Sequence, residues 1–146
     1  NIKFAQLGRN WSTFLPESYT AAPLITATFL ASGKYHMWLA DDERMLIPDH
    51  IEKLVSLIET EKVGFSYSKV EMYWKHVPDH RYIIGEPRPR YGQITHCVYD
   101  VDILKVAMYR PYVGSAGDWD CIDRWMLGGV RWAFLDEVTL SHRADK

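Results

Sequence analysis

With 146 residues the chain is long enough to bury one core, and its 47% apolar content excludes wholesale disorder. A formal charge of -2 gives nucleic acid no electrostatic attraction, and no run of about 18 apolar residues is available to span a bilayer. Cys97 and Cys121 are isolated and lack metal-ligand spacing, which suits a reducing, cytoplasmic setting.

In chain order, Ile2 to Gln6 reads as a short strand. A helix follows Pro16 through Ala21, Ala22, Leu24, Ile25 and Phe29, with Gly33 available to end it. Tyr35 to Ala40 reads as a second strand, apolar on both faces. From Pro48, Ile51, Leu54, Val55 and Ile58 fall at i, i+3, i+4 and i+7, so a helix is expected with these residues facing inward and the proline in its first turn. Val63 to Tyr67 is the next strand. Pro78, Gly85, Pro87, Pro89 and Gly92 make residues 75–92 a long loop with some extended structure.

Ile94 to Tyr99 returns to strand, and Asp100 or Asp102 can cap a helix through Ile103, Leu104 and Val106. A second loop passes Pro111 and Gly114. The last helix starts at Asp118, turns Ile122, Trp125 and Met126 inward and ends at Gly128 and Gly129; Val130 to Leu135 is a closing strand. Strand and helix alternation predicts one α/β domain over residues 1–146, a sandwich whose central sheet is mainly parallel and flanked by helices. Ligands of such sheets bind beyond the carboxyl ends of strands.

At one such end stand Asp41, Asp42 and Glu43. Neighbouring carboxylates repel by roughly 1 kcal/mol even in water, and a divalent cation or shared proton relieves that. Oxygen ligands of this kind suit Mg2+ or Mn2+, which complete their shells with water and substrate phosphate. A solvated turn or a cap on the helix from Pro48 is the competing structural role. For Asp118 the competing role is a helix N-cap. Arg124 is expected to pair across its helix with Asp120 or Asp123. His96 and Cys97 are adjacent on a strand and so point to opposite faces, which argues against a thiol and imidazole pair.

Gly33 to Glu43, followed by Pro48, Asp49, His50 and an amphipathic helix, resembles the family 2 glycosyltransferases of the GT-A fold, where a "GEYI" strand leads to an acidic metal-binding (DXD) motif and a "PD" helix start. Gly117, Asp118, Trp119 and Asp120, with Arg124, Gly128 and Gly129 behind them, resemble the family's later "ED" or "GD" motif. Phe134 to Val138 with His142 resembles its closing strand and the histidine after it. The nearest likeness is to bacterial members of the spore-coat polysaccharide type.

The resemblance implies transfer of a sugar from a nucleotide-diphosphate donor to an acceptor hydroxyl, with inversion at the anomeric carbon and dependence on Mn2+ or Mg2+. Asp42 would be the first metal ligand and Glu43 the alternative, since Asp41 and Glu43 keep the spacing of the motif while Ala40 holds a position acidic in many relatives. Asp41, Asp42 and His142 would lie at the donor, Asp118 would be the base, with Asp120 as its alternative, and Trp119 and Asp120 would meet the saccharide or other hydroxyl acceptor. The family's opening strands, which hold the nucleotide, have no counterpart here, so the chain is expected to be the later part of a catalytic domain. The implied location is cytoplasmic, with peripheral association of the parent protein at the inner face of a membrane left open. A degenerate, non-catalytic module of the same fold, binding a nucleotide, sugar or protein partner, is the alternative.

Overall fold

A computed structural model describes residues 21–40, 42–74, 77–85, 96–105, 107–110 and 117–143. The strand expected at Ile2 to Gln6 lies outside these residues, as does Asp41. The elements run α1 (Ala21–Leu30), β1 (Tyr35–Met37), β2 (Glu43–Met45), α2 (His50–Glu61), β3 (Phe65–Trp74), β4 (Val77–Ile84), β5 (Cys97–Asp100), a short 3-10 helix (Val101–Lys105), α3 (Gly117–Leu127) and β6 (Trp132–Arg143). Six strands form one sheet in the order β1-β5-β3-β6-β2, with β4 also paired to β3.

Only β3 and β6 run parallel; every other pairing among the described strands is antiparallel. This corrects the expectation of a mainly parallel sheet. Alternation predicts parallel strands only where a helix returns the chain across the sheet. Here β4 instead folds straight back on β3, with Val70 opposite Ile84 and Trp74 opposite Val77. Residues 77–84, expected as loop, are therefore strand; among the described strands β4 pairs with β3 alone, a setting in which a proline such as Pro78 is tolerated.

The sheet is covered on both faces because β5 and β6 alternate apolar side chains to each side. Phe65, Tyr67, Cys97 and Tyr99 pack with Cys121, Ile122 and Trp125 of α3, and the Trp125 indole N–H donates to Ala107 O at 2.7 Å. On the opposite face Val98 packs with Leu54 and Ile58 of α2. The stripe that α2 buries is His50, Leu54 and Ile58, whereas Ile51, expected inside, is 45% exposed. Gly64, just ahead of β3, lets the 3-10 helix and the residues leading into β6 close over it, since a Cβ there would collide with Ile103 and Val130.

Both elements that carry the acidic run differ from expectation. The strand from Tyr35 stops at Met37, and a three-residue strand, β2, follows the acids and pairs with the end of β6. β6 is also longer than read, reaching Arg143 because β2 and β3 pair with its second half.

Candidate metal centre

The antiparallel register of β2 and β6 sets Glu43 directly opposite His142. Ahead of β2 the chain makes a tight turn in which the Glu43 N–H donates to Ala40 O at 3.1 Å and the Ala40 N–H donates to Glu43 Oε2 at 2.9 Å. That turn swings the Glu43 side chain inside, where it is fully buried. Asp42 stays at the rim, its side chain 31% exposed, and its carbonyl accepts the Arg143 N–H at 2.8 Å.

His96 arrives from the residue immediately before β5 and is completely buried, with Tyr67 edge-on to its ring. Its Nε2 lies 3.1 Å from Glu43 Oε1; His142 Nδ1 lies 3.1 Å from the same oxygen. The two nitrogens are 3.4 Å apart. A carboxylate oxygen has two lone pairs, so one Glu43 oxygen can accept both imidazole N–H groups while the other accepts Ala40. Burial pushes the His96 imidazole below its usual pKa, with the Glu43 carboxylate opposing, so the ring is neutral. With its proton on Nε2, its bare Nδ1 is the buried atom that meets no partner.

The same bonding, with the Nδ1 proton given to Glu43, turns Nε2 of His142 towards the rim. That nitrogen faces Asp42 Oδ2 at 3.9 Å. The gap is too long for a hydrogen bond; two ligands of one ion at about 2.0–2.2 Å sit roughly 3 Å apart in an octahedron and roughly 3.4 Å apart in a tetrahedron, so a small approach of the Asp42 side chain at the rim brings both groups to one cation. A carboxylate that fixes the far nitrogen of a ligating histidine is the usual support of such a site. The residues present therefore fit a divalent cation at Asp42 and His142.

Beneath the site, His50 Nδ1 lies 2.7 Å from Thr139 Oγ1, which donates to Ser68 Oγ at 2.7 Å. All three residues are buried and tie the start of α2 to β6 and β3. Burial lowers the His50 pKa against the raising effect of Glu43.

The later acidic motif lies in α3. Asp118 and Trp119 occupy its first turn, Asp118 as the second helical residue; their side chains lie outside what the structure describes. Asp120 is bound by Arg110, whose Nε donates at 2.9 Å, and by Arg124, whose Nε also donates at 2.9 Å. Burial works to raise the Asp120 pKa, and the two guanidinium groups outweigh it, holding the carboxyl below its ordinary range. Arg124 thus pairs with Asp120 as expected from the helical spacing, and it also donates to Met108 O at 2.5 Å.

The structure brings Asp42, Glu43 and His142 together, and adds His96, which sequence reasoning left out. Only its place just ahead of an apolar strand hinted at burial; its partners come from distant parts of the chain.

The sheet between its two helical layers makes an α/β domain whose fold is shared by solved structures. Crystal structures of S. aureus TarS, a glycosyltransferase, share this fold. A structure of TarS residues 1–349 superposes with a TM-score of 0.61 at 13% identity, over 84% of this chain and 40% of that one. A second TarS structure gives 0.62 at 12% identity, over 85% of this chain and 24% of that one. The chain therefore spans well under half of these relatives. No family model and no curated protein sequence matches it.

Proposed function

We propose that the chain belongs to an inverting, divalent-metal-dependent glycosyltransferase of the family 2 type, taking a sugar from a nucleotide-diphosphate donor to an acceptor hydroxyl. The observation that carries this reading is the Asp42 carboxylate at the rim lying 3.9 Å from His142 Nε2, with Glu43 Oε1 3.1 Å from Nδ1 of the same ring. Asp42 and His142 would hold Mn2+ or Mg2+ at the donor diphosphate, with Asp41 beside them. The ion supplies neutralisation of the charge that grows on the leaving diphosphate. Glu43 keeps His142 in the ligating tautomer and so acts from one layer behind.

Asp118 is the proposed base. It would accept the proton of the acceptor hydroxyl as that oxygen attacks the anomeric carbon opposite the departing diphosphate, which inverts the centre. Trp119 would offer a ring face to the apolar side of a sugar. Asp120, already bound by Arg110 and Arg124, serves this reading by anchoring residues 107–110 to α3.

A non-catalytic binding module is favoured by one observation, the alanine at position 40 where many relatives carry an acid. Calorimetric titration of UDP and other nucleoside diphosphates, with and without Mn2+, separates the two. Metal-dependent binding that Asp42→Asn removes supports the enzyme; binding indifferent to metal and to Asp42→Asn supports the module. No binding by any of the diphosphates would overturn the donor site. The described helices include none long and apolar enough to cross a membrane.

A further inference from the structure

We propose that Glu43, His96 and His142 form a second cation site on the inner side of this centre, selective for a first-row transition ion of the Zn2+ class, and that filling it withdraws His142 from Asp42. Three ligand atoms converge there from separate elements. Glu43 Oε1 is 3.1 Å from His96 Nε2 and 3.1 Å from His142 Nδ1, and the two nitrogens are 3.4 Å apart. An ion bound tetrahedrally at about 2.0–2.1 Å places its ligands roughly 3.3 Å from one another. The site thus already has the dimensions of an occupied one.

The donor set gives the selectivity. Two imidazoles and one carboxylate are the ligands of many zinc centres. Mg2+ and Ca2+ favour sets dominated by oxygen, so a pair of imidazoles disfavours them. Glu43 Oε2 is held by the Ala40 N–H, which leaves Oε1 for the ion. Glu43 and His96 are fully buried and pre-positioned, while His142 is 16% exposed, so an ion reaches the pocket past the histidine at the rim.

Binding needs no net loss of protons. Each ring coordinates through the nitrogen that now donates to Glu43, and its proton moves to the other nitrogen: Nδ1 of His96 and Nε2 of His142. The His142 nitrogen facing Asp42 then carries a hydrogen and has no lone pair for an ion. Zn2+ in the inner pocket and Mn2+ or Mg2+ at Asp42 consequently exclude each other, a consequence that rests on the donor-site reading above, whereas the inner pocket itself does not.

The test is titration of the whole chain with Zn2+ alone, in buffer free of chelators, together with the absorption spectrum of the Co2+ form. One equivalent of Zn2+ should bind in the wild type and in Asp42→Asn, and His96→Gln should weaken it by at least about tenfold, since loss of even an outer supporting group costs that much. The Co2+ spectrum should show nitrogen and oxygen ligation without a thiolate charge-transfer band, which sets aside Cys97 and Cys121. Should His96→Gln fail to fold, 15N shifts of the wild-type rings decide: Zn2+ must move the His96 Nε2 and His142 Nδ1 resonances. No stoichiometric binding, a thiolate band, binding undiminished in folded His96→Gln, or unmoved ring resonances would each overturn the site. Zn2+ should also suppress Mn2+-dependent binding of UDP. If UDP never binds, the donor-site reading fails while the Zn2+ result still stands by itself; if Zn2+ and the Mn2+ complex of UDP bind together, mutual exclusion is wrong.

Discussion

Replacing Thr139 by valine should destabilise the protein by about 2–4 kcal/mol without opening a cavity. Thr139 Oγ1 donates to Ser68 Oγ, so its hydrogen is committed and the 2.7 Å contact with His50 Nδ1 requires the imidazole to donate. Valine has the same shape, and its methyl can accept nothing. The His50 N–H would be stranded in the interior, a loss of about 1–3 kcal/mol for a buried unsatisfied donor. Moving the proton to Nε2 gives no rescue, because that atom is buried and meets no partner either. Losing the donor to Ser68 adds about 1 kcal/mol.

Urea unfolding followed by tryptophan fluorescence measures this directly; the midpoint should fall while the m-value holds, since the surface exposed on unfolding is unchanged. In Ser68→Ala the threonine still accepts from His50 but its own buried hydroxyl loses its acceptor, so that variant should lose about 1–3 kcal/mol, and the double variant should lose less than the sum. A Thr139→Val protein within about 0.5 kcal/mol of wild type would show that the hydroxyl does not serve His50, and the described link between α2 and β6 would be wrong.

Asp118→Asn should retain nucleoside diphosphate binding and lose turnover, assayed by release of the diphosphate from a donor sugar; wild-type turnover would refute its assignment as the base. Leu54→Ala, at a completely buried site against Val98, should cost about 3–5 kcal/mol in urea unfolding, with ligand affinity unchanged in the folded fraction. Stability should also fall with acid. Burial holds His36 and His50 below the usual histidine pKa, so below about pH 6.5 the unfolded chain binds more protons than the native one. Their contribution is complete above that pH and drains away as pH drops towards the folded-state values, by at most about 1.4 kcal/mol per pH unit for each group. A urea midpoint that is flat or rises between pH 7.5 and 5.5 would refute the neutral, buried state of these rings.

The helices were legible because their burial follows a period the sequence displays. Even so, α2 shows how counting apolar residues misleads: the buried stripe runs through His50, Leu54 and Ile58, and the stripe read from sequence put Ile51 there. A histidine can join a core stripe only when some distant group meets its N–H, and Thr139 is invisible to local reading. β2 was equally hidden, since Glu-Arg-Met has no strand pattern and its pairing is supplied by β6. Proline and glycine made residues 75–92 look like loop, but a strand with a proline near its start reads that way until β3 is found beside it. Within the site, the acidic run and His142 were readable as a motif, whereas His96 joins them only through the order in which β5, β3 and β6 lie in the sheet.

The split within the acidic run is what gives the site its chemistry. Repulsion between adjacent carboxylates could be relieved by spreading all of them into water, and a turn of three exposed acids would then be an ordinary helix approach. The chain instead buries Glu43 against the Ala40 N–H and two imidazoles, donors enough to satisfy an ionised carboxylate. That carboxylate in turn orients the His142 ring, with Nδ1 towards Glu43 and Nε2 towards the rim. Asp42, one residue earlier, has its backbone held by Arg143 and its side chain left at the rim, 3.9 Å from His142 Nε2. The adjacent acids therefore divide into one that the protein surrounds with its own donors and one left where solvent or a ligand can reach it, and under the proposed function that second carboxylate is the one that would meet the ion of a donor diphosphate.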